Sequence, residues 1–172
     1  MEKSEYWPKN HLLFAKELQT FPEEIKRKNL NFIQLDESTF HEFMITLPVF
    51  NKKSNVIICS PVLYPLSLFL LSEFASIHAV FTSDCGLNKI VEGIRRMPVN
   101  GKITFTRSGR CSLTLPEFRI LHLWIQGISM KDIAGILRIS LSTVYVYRKK
   151  LSQKMQFMNS GVPAYKLKSK MN

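Results

Sequence analysis

Residues 113–155 read LTLPEFRILHLWIQGISMKDIAGILRISLSTVYVYRKKLSQKM, and one local device occurs in them three times. Leu113-Thr114-Leu115-Pro116-Glu117-Phe118 offers Thr114 as a helix N-cap, Glu117 to close a capping box, and Leu113 with Phe118 as a hydrophobic staple. Pro116 is tolerated because the first turn of a helix leaves its N–H groups without helical partners anyway. Ser129, Asp132 and the pair Ile128/Ile133 repeat the device; Ser140 and the pair Ile139/Val144 repeat it again, without an acid. The caps predict helices of about 12, 8 and 15 residues joined by short turns. Gly127 stands where the first should end in a left-handed residue.

Each helix has one apolar face: Phe118, Leu121 and Ile125; Ile133, Ala134 and Leu137; Val144, Leu151 and Met155. Packed together these predict a three-helix core, whose second and third helices have the length and polarity of a helix-turn-helix. Away from its core the third helix is expected to present Ser142, Thr143, Tyr145, Val146, Arg148, Lys149 and Lys150, and no acidic residue occurs from Arg138 onward. That face suits a major groove lined by phosphates. Hydroxyls and helix N-terminal amides bind phosphate, cations neutralise it, and Val146 can touch a thymine methyl.

Charge follows the same division. The first 100 residues of this 172-residue chain carry 11 basic and 11 acidic side chains, whereas residues 101–172 carry 13 basic and 2 acidic, so the whole net charge of +11 lies there. Such asymmetry is expected when one part meets a polyanion and the other does something else. The length excludes a large multidomain enzyme, and 45% hydrophobic residues supply enough apolar material for a folded core.

Upstream, strand-like and helix-like segments alternate. A weak helix over 11–28 is interrupted by Pro22; strands are predicted at Leu30–Leu35, Asn55–Cys59 and Ile77–Thr82; helices are predicted to Leu47, over Pro61–Ala75 and around Leu87–Ile94. The alternation predicts right-handed βαβ crossovers and a small, mostly parallel sheet, with residues 1–10 mobile. The expected division is an α/β domain at 1–97, a basic linker at 98–112 and an all-α domain at 113–172. The helix around Leu66, Leu68, Phe69, Leu70 and Leu71 has more apolar faces than one sheet covers. Leu66, Phe69 and Leu70 are therefore candidates for a partner interface, with simple burial an equal alternative.

The charged N-terminus has no secretory h-region, and the apolar stretch Val56–Ala75 is broken by prolines and a glutamate, so neither secretion nor a membrane span is expected. Cys59, Cys85 and Cys111 read as reduced thiols of a cytoplasmic protein without a metal site. His11, His41, His78 and His122 fall on separate elements, with no nucleophile or carboxylate at telling spacing and no phosphate loop. An enzyme is not expected, nor a cofactor.

Residues 113–155 resemble the C-terminal DNA-binding domain of LuxR/NarL-type bacterial transcription regulators. The match runs through Leu113, Thr114, Glu117, Gly127, Lys131, Ile133, Ala134, Leu137, Ile139, Ser140, Thr143, Val144, Arg148, Leu151 and Lys154. The resemblance implies that the helix beginning near Ser140 is the recognition helix and that Lys131 contacts the DNA backbone. Tyr145 stands where the family often has lysine and Tyr147 where it usually has histidine, so the base preference does not carry over. After Gly161, Pro163 and a tail with Lys166, Lys168 and Lys170 replace the apolar face of the family's fourth helix, often a dimer contact.

The first 100 residues resemble a truncated, degenerate receiver domain by the order of their elements. That resemblance would put Asp36 at the phosphoacceptor position, Ser60 at the hydroxyl position and Ser83 in place of the usual lysine. Without that lysine and the acidic pair for Mg²⁺, Asp36 is expected to be a cap or surface acid. The expected function is a phosphorylation-independent DNA-binding transcription regulator, a homodimer or a heterodimer with a related regulator. The alternative is a co-regulator that acts through another transcription factor.

Overall fold

In the computed structural model, described for residues 5–8, 12–47, 54–97, 102–104 and 112–156, apolar runs form parallel strands and the segments between them form helices. The order is β1 (Glu5–Trp7), α1 (Leu12–Gln19), α2 (Glu23–Lys26), β2 (Asn31–Leu35), α3 (Phe40–Thr46), β3 (Asn55–Cys59), α4 (Tyr64–Glu73), β4 (Ile77–Thr82), α5 (Leu87–Arg95) and β5 (Ile103–Thr104). Then come α6 (Leu115–Ile125), α7 (Met130–Leu137) and α8 (Leu141–Lys154). The expected architecture, a parallel α/β sheet followed by an all-α helix-turn-helix, is what the chain adopts.

The strands lie in the order β1-β2-β3-β4-β5, all parallel. Every residue of β3 is buried, as a central strand covered on both faces requires. The one polar side chain in that strand is accounted for: Asn55 accepts from Asn31 Nδ2 at 2.7 Å and donates to the Ser76 carbonyl at 3.1 Å. Ile33, Leu35, Ile57, Cys59 and Val80 face α3 and α4, whereas Phe32, Val56, Ile58, Ala79 and Phe81 face α1, α2 and α5.

Several expectations change. Residues 5–7 form an edge strand paired with β2, because tertiary pairing rescues a segment too short to announce itself. Pro22 divides the first helix in two. Helices lie on both faces while the strand order advances in one direction, so inner and outer crossovers have opposite hands and a uniformly right-handed set does not hold. The receiver-type order 2-1-3-4-5 reverses at its first strand. Here the order never reverses.

The expected linker at 98–112 also contains structure. Ile103 and Thr104 pair with Ala79 and Val80, and the Lys102 ammonium donates to the carbonyls of Leu71, Ser72 and Phe74 at the end of α4. Cations complement that end of a helix, where carbonyls lack helical partners.

Leu66, Phe69 and Leu70 are corrected as a partner surface: they are 0, 3 and 0% exposed within the single chain. The reason is that α4 is apolar on every side and lies between the sheet and the C-terminal helices. The Phe69 and Phe118 rings stack at 4.6 Å, and the Leu113 N–H donates to the Pro65 carbonyl at 3.1 Å. One core runs from the sheet through α4 into α6, α7 and α8.

Candidate nucleic-acid interface

The three caps form as their residues dictate. The Thr114 N–H donates to the Glu117 carboxylate at 2.7 Å, closing the box on α6. Ser129 Oγ accepts from the Asp132 N–H at 3.1 Å on α7, and Ser140 Oγ accepts from the Thr143 N–H at 3.1 Å on α8. Gly127 ends α6 with φ +84°, where a side chain would be strained. Between α7 and α8, Arg138 itself takes the left-handed conformation at φ 55°, and the Ile139 N–H closes back on the Ala134 carbonyl at 3.0 Å. The turn is thus tight without a glycine.

Val144, Leu151 and Met155 are fully buried, which fixes how α8 is rotated. At about 100° per residue, Tyr145, Val146, Lys149, Lys150 and Gln153 lie within about 80° of Ser142 on the opposite side. All six are exposed, Tyr145 at 50% and Val146 at 54%. Thr143 flanks this face, half-buried, with its hydroxyl 2.7 Å from Ser140 Oγ, as is that of Ser142. Lys131 is exposed on α7.

Arg148 is not on the outward face. It is half-buried, with its guanidinium 5.3 Å from the ring centre of Trp124 on α6, because its position on the wheel is closer to the core than to solvent. Lys150 remains exposed while its ammonium reaches over the ring of Tyr147 at 5.5 Å.

A tie that no spacing rule announces holds the far end of α8. Lys154 Nζ donates to the Glu117 carboxylate at 2.7 Å and to the Ser112 carbonyl at 2.9 Å, joining the last turn of α8 to the cap of α6. Glu117 is only 2% exposed. Burial opposes its ionisation, but hydrogen bonds from Lys154 and Thr114 outweigh that and hold its carboxyl below the usual glutamate range. Glu117 and Lys154 are both positions of the family resemblance; their pairing emerges only in three dimensions.

The receiver-like positions converge at the C-terminal end of the sheet, since Asp36, Ser60 and Ser83 directly follow the parallel strands β2, β3 and β4. The Asp36 carboxylate accepts from the Ser38 N–H at 2.9 Å, the Ser38 hydroxyl at 2.6 Å, the Thr39 N–H at 3.0 Å and Gln34 Nε2 at 2.9 Å. Partial burial works against its charge, yet the hydrogen bonds from Ser38 and Thr39, Ser38 foremost, lower its pKa. Asp36 thereby shapes the turn into α3. Cys59 is buried, its thiol pushed up to about 12 by desolvation, and Cys85 is raised for the same first cause. His41, His78 and His122 stay on separate elements. Cys111, His11 and the region of the family's fourth helix lie outside the described residues, and among the described residues no helix is long and apolar enough to cross a membrane.

The family model for bacterial regulatory proteins of the luxR family matches residues 111–164. The transcriptional regulatory protein EntR of Citrobacter freundii is 29% identical over 94 residues, 54% of this chain and 47% of EntR. The uncharacterized protein YqeH of Escherichia coli K12 is 30% identical over 81 residues, 47% of this chain and 38% of YqeH. The Vi polysaccharide biosynthesis protein TviA of Salmonella typhi is 25% identical over 159 residues, 87% of each. The chain thus spans less than half the length of the first two and most of the third. Its C-terminal helices form a luxR-family helix-turn-helix domain.

Proposed function

We propose that the chain bearing this luxR-family domain is a cytoplasmic, sequence-specific DNA-binding transcription regulator that places the outward face of α8 in the major groove. The observation that carries the reading is that Ser142, Tyr145, Val146, Lys149 and Lys150 stay exposed on one face in the intact chain, with no acidic residue beyond Asp132 in the sequence. Lys131, Lys149 and Lys150 meet phosphates. Ser142 and Thr143, with the free amides at the start of α8, hold the backbone; Tyr145 and Val146 face base edges. Arg148 contributes by packing on Trp124.

Anisotropy titration of the full chain on duplex DNA tests this. Log affinity should fall with log salt at about −0.9 per neutralised phosphate, and Lys149→Ala with Lys150→Ala should flatten that slope by about one unit each. Salt-insensitive or absent binding would overturn the reading.

The division into an α/β domain, expected at 1–97 and extended to Thr104 by β5, and a helix-turn-helix domain at 113–172 belongs to the same proposal. Regulation is independent of phosphorylation: Asp36 is taken up by Ser38, Thr39 and Gln34, and Ser83 stands where a receiver would need lysine. A phosphoryl donor such as acetyl phosphate should leave DNA affinity unchanged. The chain acts as a homodimer or with a related regulator, through a surface of the α/β domain other than α4. The second reading, a co-regulator with little DNA binding of its own, is favoured by Tyr145 and Tyr147 in place of a lysine and a histidine. Operator binding only in the presence of a second protein, from a chain monomeric by light scattering, would select it.

A further inference from the structure

The outward face of α8 carries an unusual set of groups for reading base pairs. In a helix-turn-helix the N-terminal part of the recognition helix meets base edges. Its first two turns here turn Leu141, Ser142, Tyr145 and Val146 outward, with Leu141 41% exposed, Tyr145 50% and Val146 54%. No arginine or lysine is among them, so the two-bond contact to guanine is missing. No asparagine or glutamine offers the matching contact to adenine, and no carboxylate accepts from cytosine. Arg148, the arginine of this helix, is over Trp124. Lys149 is the first cation on the face, and Gln153 lies about 16 Å beyond Ser142 along the axis.

The hydroxyl of Ser142 is assigned to the DNA backbone, and that of Tyr145 gives a single hydrogen bond that several bases satisfy. What remains to discriminate is apolar contact, and in the major groove the apolar feature of a base is the 5-methyl group of thymine. Resting on the DNA-binding reading above, we infer that this chain selects A·T-rich half-sites by their thymine methyls, with Leu141, Tyr145 and Val146 forming the apolar reading surface. Lys149 and Lys150 then supply affinity without choosing sequence.

The test uses the full chain and a duplex enriched from a random library. Each thymidine is replaced in turn by deoxyuridine, which removes the methyl and leaves every hydrogen-bonding group in place. Affinity should fall about fourfold at each of one to three positions, the change that corresponds to exposing one methylene-sized group. At one of those positions Val146→Ala should be indifferent to the exchange, while its unfolding midpoint stays that of the parent. Equal affinity for thymidine and deoxyuridine at every position overturns the inference while leaving DNA binding intact. Enrichment of G·C-rich sites does the same, and no enrichment of any duplex overturns both readings.

Discussion

All five residues of β3 are buried, and none is charged. By contrast α8, with 14 residues, buries Val144 and Leu151 and turns its hydroxyls and lysines outward. The difference extends to the units these elements represent. The charge-balanced sheet is held by apolar burial on both faces. The helical unit, with 10 basic and 2 acidic side chains in residues 113–172, carries most of the +11 surplus and is held by caps, a half-buried ion pair and the core that it shares with α4. A face meant for a polyanion cannot also be buried, so the helix that bears it is fixed from behind and at its ends.

The shared core is where that comparison breaks first. Phe69→Ala removes a 3%-exposed ring from between the units and should cost about 3–5 kcal/mol. The chain has one tryptophan in each unit, Trp7 in β1 and Trp124 in α6, so Trp7→Phe and Trp124→Phe backgrounds report the units separately. Denaturant midpoints should coincide in the parent and separate in Phe69→Ala. Coincident midpoints in the variant would show that the units are coupled by other means.

Glu117→Gln should cost about 1–3 kcal/mol, since it leaves the Lys154 ammonium with a neutral partner in a half-buried place. The pH dependence has a definite sign. The folded carboxyl titrates below its unfolded value near 4.3, so its contribution is complete above that value and fades as pH falls through the depressed folded pKa. Stability measured from pH 6 to 2 should therefore lose less on acidification in the variant; parallel curves would remove the ion pair from the account.

Cap removal comes next. Ser140→Ala should destabilise by about 1 kcal/mol, and thermal unfolding should place Ser129→Ala close to it, because each serine accepts from a first-turn amide in the same geometry. The smallest effect separates packing from phosphate contact: Arg148→Ala should lose about 0.5–1 kcal/mol of stability and leave the salt slope of DNA binding unchanged. A flattened slope would return Arg148 to the phosphate-contacting set.

The helix starts, the turn at Gly127 and the buried set Val144, Leu151 and Met155 were legible because caps, staples and periodicity act within about four residues or along one element. The same rules placed β2, β3 and β4, whose runs are apolar enough to speak for themselves. They missed β1 and β5, of three and two residues, because strands that short are specified by the partner already in place.

Side-chain destinations divide in the same way. Periodicity turned Tyr145, Val146 and Lys149 outward and set Arg148 nearer the core, but one helix's pattern contains no information about Trp124 of another, so it could not name the ring on which Arg148 packs. Nor could it join Glu117 to Lys154. The sequence by itself determined three capped helices, a parallel α/β unit and a basic recognition helix, since each rests on local backbone preference and charge. Only the tertiary structure decided that α4 is covered by the chain's own helices and that the recognition helix is tied at its far end. Those outcomes depend on which surfaces meet when the apolar faces of separate elements are buried together.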